Sequence, residues 1–241
     1  GTLDGIVSWW PGQNNASDKV DGNFGTPQGG VTYGVGKVGT AFNFNGVDGY
    51  ISVSDASNLD FTNAITLEAW IYPRSYNVFS RKKKKKWGGP LDQRSYTFDI
   101  DPAGKGYLIV SSDGGFANNM AVHSLATIPI NQWSHIAATY DGSSIKYYVN
   151  GQLDNTVAWA QGMFCGNAPL IIGASYVSGF TPGAFFDGLI DEPTVCHRPL
   201  TSAEIQQIYA AGAAGKCGML TPPAVCGAAL GAQIFVPGQA T

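Results

Sequence analysis

Aromatic side chains set among glycine, proline and amide residues are the first places in this sequence where chemistry could happen. Trp87 stands before Gly88, Gly89 and Pro90, Trp159 lies two residues before Gln161, and Tyr176 and Phe180 share a glycine-bearing stretch with Ser175 and Ser178. A flat ring stacks on the CH face of a pyranose while nearby amide or charged groups bond its hydroxyls. Arg94, Asn118 and Asn119 supply that polar half. The ligand-binding set nominated by residue type is therefore Trp87, Arg94, Trp159, Tyr176 and Phe180, although packing under a loop accounts for any one of these rings taken alone. Other reactive types lack partners. Asp99, Asp101 and Gly104 begin like a calcium loop, but the later glutamate such a loop needs is missing. His123 and His135 have no acidic or nucleophilic neighbour in a recognisable pattern and read as ordinary strand residues. Cys165, Cys196, Cys217 and Cys226 lack the close paired spacing of a zinc site. An even count in a glycine-rich chain favours disulfides in an oxidising compartment. Of three connectivities, Cys217 with Cys226 and Cys165 with Cys196 is preferred, and four reduced buried thiols is the alternative.

These residues need a scaffold, and composition describes it. With 241 residues, 44% of them hydrophobic, the chain can build one large core. No apolar run reaches the roughly 18 residues of a membrane span. The 32 glycines and 13 prolines, with 12% aromatic and only 13% charged residues, suit an all-β protein of many turns. The net charge of −3 conceals an acidic remainder, because Arg81 to Lys86 hold six of the fourteen basic residues. That balance argues against nucleic acid and suits an extracellular or cell-surface domain. The Lys82 to Lys86 run reads as a solvated loop, or as a patch for an acidic polysaccharide whose affinity would fall with salt.

Asn131 to Gly151 shows how the scaffold is written. Trp133, His135, Ala137 and Thr139 alternate with Ser134, Ile136, Ala138 and Tyr140, Asp141 to Ser144 turn the chain, and Ile145 to Val149 return it before Asn150-Gly151. Both strands are apolar on both faces, which places them in the middle of a sandwich. Ile65 to Pro73 and Phe185 to Val195 read as further long strands. The single convincing helix, Ser202 to Ala211, has Thr201 as N-cap, Glu204 completing a capping box and Gly212 at its end. Residues 1–217 form the expected domain. Residues 218–241, with Pro222-Pro223 and many Ala and Gly, read as a tail or linker that could mediate contacts between subunits.

Seven motifs then occur in order: F-N-F-N-G-V-D-G-Y-I, I-T-L-E-A-W-I-Y-P, N-Q-W-S-H-I-A-A-T-Y-D-G, Y-V-N-G, L-I-I-G, F-D-G-L-I-D-E-P and R-P-L-T-S-A-E-I-Q-Q-I-Y. Together they resemble the laminin G-like domains of the concanavalin A-like lectin/glucanase superfamily. The resemblance implies a two-sheet antiparallel jelly-roll sandwich with one short C-terminal helix, and ligands held at the concave face or its loop rim. It also implies a structural calcium, held by the acid beginning the final long strand and by the turn after the early hairpin, which map to Asp191 and to Asn45–Asp48, with Asp48 as the second acid. Hydrolases of the superfamily carry closely spaced carboxylates on one strand. Here Asp99 and Asp101 have no acidic successor, and Asp191 and Glu192 would point to opposite faces. The expectation is therefore a non-catalytic module that recognises a glycan or cell-surface ligand, with a structural unit of a larger surface protein or filament as the alternative.

Overall fold

The computed structural model of the protein describes residues 4–76, 95–115, 118–178 and 181–219. The first half of the chain contributes β1 (Ile6–Trp9), β2 (Gly25–Gln28), β3 (Thr32–Val35), β4 (Thr40–Asn45), β5 (Tyr50–Val53), β6 (Ile65–Pro73), β7 (Tyr96–Ile100), β8 (Gly106–Ser111) and β9 (Asn119–His123). The second half contributes β10 (Ser134–Tyr140), β11 (Ser144–Val149), β12 (Gln152–Ala158), β13 (Leu170–Ile172), β14 (Ser175–Ser178), β15 (Thr181–Gly183), β16 (Asp187–Cys196) and α1 (Ser202–Ala211). One eight-stranded sheet runs β12-β11-β10-β6-β16-β4-β3, with β1 added beside β16. Two three-stranded antiparallel sheets, β13-β5-β2 and β7-β8-β9, make the opposing layer. The result is the expected jelly-roll sandwich.

Alternation decides which side each residue serves. Leu67, Ala69 and Ile71 of β6, Ile136 and Ala138 of β10 and Tyr147 of β11 face Ile51, Leu108, Val110 and Val122 of the opposing layer, forming the inter-sheet core. The other face of the large sheet is buried too, because Trp9, Ala137, Tyr148 and Cys196 pack with Leu200, Ile205 and Ile208 at and within α1. All seven residues of β10 are consequently buried. Local chemistry fixes the turns. Asp141 Oδ1 accepts the amides of Ser143 and Ser144 at 3.0 and 2.7 Å, and Asn150 and Gly151 both adopt left-handed φ, 49° and 77°, as a tight two-residue hairpin requires. The capping box forms as read: Thr201 Oγ1 accepts the Glu204 amide at 3.2 Å and Glu204 Oε2 accepts the Thr201 amide at 2.7 Å.

Two expectations change. β16 carries a bulge between Asp191 and Thr194, with Glu192 at φ 59°. Ile190 packs on the inter-sheet core and Val195 lies within it, while Cys196 faces the helix. The alternation is therefore broken, and Asp191 and Glu192 both turn toward the helix side instead of to opposite faces. The proposed Cys165–Cys196 disulfide does not form either. Both are free thiols. Cys196 is held under α1, whereas Cys165 is exposed with its sulfur 3.7 Å from the Phe61 carbonyl, beside the inter-sheet core. Cys217 is disulfide-bonded, and Cys226, its expected partner, lies outside the described residues, as do Lys82 to Lys86 and the tail beyond Met219. Cys217 and Met219 pack on the Trp9 cluster, so the described end of the chain belongs to the domain. Among the described residues no helix is long and apolar enough to cross a membrane.

Candidate functional site

Two polar constellations stand on the outer faces of the two layers. The first lies between the large sheet and the segment after α1. Glu68 of β6 projects toward the helix, where its Oε2 lies 3.0 Å from His135 Nε2 and its Oε1 lies 2.9 Å from Lys216 Nζ. Lys216 also reaches Glu192 Oε2 at 3.2 Å and donates to the Glu192 carbonyl at 3.0 Å, and the Trp9 indole donates to Glu192 Oε2 at 3.0 Å. The Glu68, His135, Glu192 and Lys216 side chains are each no more than 2% exposed. Burial alone would raise the Glu68 carboxyl, but Lys216 and then His135 outweigh it and hold it at about 2. Asp191, one strand position from Glu192, accepts the Val38 amide at 2.8 Å with Oδ2 while Oδ1 stays unpartnered, and burial, with Glu192 adding to it, pushes this carboxyl up to about 7. Trp70 closes the group, with Tyr209 stacked on it at 5.6 Å and Lys37 Nζ 4.5 Å from its centroid. The cluster is filled by the chain itself.

The second constellation is open. Register places Asp99 of β7, Tyr107 of β8 and His123 of β9 side by side. Their neighbours Phe98, Leu108 and Val122 point into the core, so this row faces outward on the layer that α1 does not cover. Ser175 donates to Asp99 Oδ2 at 2.7 Å, the Tyr107 hydroxyl lies 3.5 Å from the same oxygen, and the Tyr107 and His123 rings stand 5.3 Å apart. Asp101 Oδ2 is 3.4 Å from His123 Nδ1, with half of the His123 side chain exposed. Desolvation raises the Asp99 carboxyl, with the Ser175 hydroxyl working against it. Asp101 Oδ1 accepts the amides of Ala103 and Lys105 and so builds the turn. Rings, hydroxyls and carboxylates here line a half-exposed sheet face, an arrangement suited to polar recognition.

The nominated residues fall elsewhere. Trp159 is a correction: it is 7% exposed, belongs to the inter-sheet core and donates its indole N–H to the Gly162 carbonyl at 3.1 Å, so neither ring face is offered to a ligand. Tyr176 sits in β14, its backbone paired with Pro182. Asn118 turns back to Asp113 at 2.7 Å. Trp87, Arg94 and Phe180 lie outside the described residues. The expected calcium pair also fails to meet. The acid that begins β16 is Asp187, opposite Asn45, whereas Asp191 is four residues further along, roughly 13 Å at strand rise. Asp48 spends its Oδ1 on the Gly30 amide and the Asn45 amide group, and Asp187 is taken by Arg74 at 2.8 Å and Ser75 at 3.0 Å. These side chains do not fit a calcium ion held jointly by Asp48 and Asp191. Sequence reasoning missed Glu68, Lys216 and the Tyr107 row. A carboxylate between Leu67 and Ala69 in an apolar strand was the available signal for Glu68.

A family model, Laminin_G_3, described as the Concanavalin A-like lectin/glucanases superfamily, matches residues 45–206. No curated protein matches the sequence. Among solved structures, domain 4 of AbnA, a GH43 extracellular arabinanase from Geobacillus stearothermophilus, in complex with arabinotriose, has a TM-score of 0.59 at 23% identity, covering 84% of this chain and 97% of that one. The binding domain of Paraclostridial Mosquitocidal Protein 1 gives 0.67 at 16% identity over 86% of this chain and 52% of that one. The binding domain of botulinum neurotoxin serotype G gives 0.59 at 14% over 85% and 50%. The chain thus spans about half the length of the two toxin binding domains. At these identities the likeness is one of fold.

Proposed function

The chain belongs to the laminin G-like family of the concanavalin A-like lectin/glucanase superfamily, and on that premise we propose that it is a non-catalytic extracellular module that binds a glycan or glycan-bearing surface through the outer face of β7, β8 and β9. The observation that carries this reading is the cross-strand row of Asp99, Tyr107 and His123 on the layer left uncovered by the helix. The Tyr107 and His123 rings bring aromatic surface for sugar CH groups to this face, and Asp99, Asp101, Ser175 and His123 bring acceptors and donors for hydroxyls. The same row argues against hydrolysis. Glycosidic cleavage uses two carboxyl groups set across the scissile bond, and the second acid available here, Asp101, is committed to its turn.

A glycan panel that includes arabinotriose, followed by calorimetry on the strongest ligand, tests the proposal. Binding is expected to fall at least tenfold in Tyr107→Ala and to persist in chelator, since the two acids expected to hold calcium are apart. Uniform absence of binding at high protein concentration would sink the reading, and full binding by Tyr107→Ala would move the site to another surface.

A further inference from the structure

The pit around Lys216 has the composition of a ligand site. An ammonium group has three N–H donors, and Lys216 Nζ has three oxygens around it: Glu68 Oε1 at 2.9 Å, Glu192 Oε2 at 3.2 Å and the Glu192 carbonyl at 3.0 Å. The Trp9 ring centroid stands 5.8 Å away, within cation–π range. These groups are positioned without help from the lysine. His135 fixes the other oxygen of Glu68, the Trp9 indole fixes Glu192, and the bulge with its left-handed φ at Glu192 turns that side chain and its carbonyl to the same point. The segment that delivers Lys216 is built differently. It pairs with no strand among the described residues, consists of two short 3-10 turns, and begins between two left-handed glycines, Gly212 at 50° and Gly215 at 66°.

We propose that this pit is a binding site for a primary ammonium group, which the chain fills with its own Lys216, and that Gly212 to Met219 is a strap that seats it. Site and ligand are then separable. An amine of matching reach is expected to occupy the pit when Lys216 is removed, and the site is expected to prefer a primary ammonium, with three donors on one nitrogen, over a planar guanidinium or a quaternary ammonium with none.

Chemical rescue in the full chain tests this. Lys216→Ala deletes three methylenes and the nitrogen, the size of n-propylammonium. The variant is expected to melt roughly 10 °C below the wild type, as loss of one member of a buried ion pair implies. Added n-propylammonium should raise its Tm with the logarithm of concentration, as ligand linkage requires, while tetramethylammonium, guanidinium and sodium leave it unchanged and the wild type does not respond. Equal responses to all four cations, or none to n-propylammonium, would overturn the proposal. Should Lys216→Ala not fold alone, the readout becomes the folded fraction recovered on refolding with n-propylammonium, and no recovery overturns it equally. Lys216→Met supplies the control for volume: a Tm equal to the wild type would show that the pit selects bulk and not charge.

Discussion

The helix-side cluster and the Tyr107 row draw on the same side chains, carboxylates beside histidine and an aromatic ring, yet one is sealed and the other half-open. Glu68, His135 and Glu192 lie under the segment that follows α1 and carries Lys216, and the Glu68 carboxylate meets a cation on one side and an imidazole on the other. Asp99 meets Ser175 of β14, while His123 and Asp101 keep 50% and 24% of their side chains accessible. Pairing inside a low-dielectric site makes each partner indispensable, because its loss strands a charge without water. Pairing at a half-exposed face costs little to undo, since solvent or a ligand can replace it. Residue type alone therefore does not separate structure from recognition; cover does.

The sharpest way to break this contrast is Glu68→Gln. It leaves Lys216 with a diminished counter-charge and should cost about 3–5 kcal/mol, a fall in Tm of roughly 10 °C by calorimetry. A change as small as that of a surface substitution would show the cluster to be dispensable. Tyr107→Ala should do the reverse, weakening ligand binding about tenfold, or about 1.4 kcal/mol, with a smaller fall in Tm than Glu68→Gln. A third test uses pH. Glu68 is held at about 2, below its ordinary 4.5, so its contribution is present above about pH 4.5 and lost as pH falls toward 2. Asp191 is raised to about 7 from 3.8, so the folded state holds a proton the unfolded chain has released, and stability falls as pH rises through that window. Urea titrations should place the wild-type optimum near mildly acidic pH, and Asp191→Asn should flatten the decline between pH 5 and 8. The smallest effect is chemical: Cys165 should react with a thiol reagent in the folded protein, and Cys196 only after unfolding, because it is buried and its thiol is pushed up by that burial. Loss of both thiols on mild oxidation of the folded chain would contradict their placement on different sides of the sheet.

Much of the scaffold could be read from the chain because its signals are local. Alternation over Ser134–Tyr140 and Ser144–Val149, the turn at Asp141 and the Thr201–Glu204 capping box each involve residues within a few positions of one another. The site was less legible because it is assembled across strands. Asp99, Tyr107 and His123 become neighbours only through pairing register, and Lys216 finds Glu68 although the two stand 148 positions apart in sequence. Trp159 misled because a tryptophan next to polar residues looks exposed, whereas its ring is folded under its own turn onto the Gly162 carbonyl. Asp191 misled because the motif F-D-G-L-I-D-E offers two aspartates, and the one opposite Asn45 is the first.

The bulge in β16 has a consequence for how this strand can change. Up to Asp191 it is written in one phase, and from Thr194 to Cys196 in the other, with Val195 inward and Cys196 outward. Were the same residues laid out as a regular strand, the odd spacing from Ile190 to Val195 would exchange the two sides of everything downstream, sending Val195 to the helix and Cys196 into the inter-sheet core. The bulge thus absorbs the extra residue and works as a frame marker that keeps two hydrophobic inventories, one for each side of the sheet, in step.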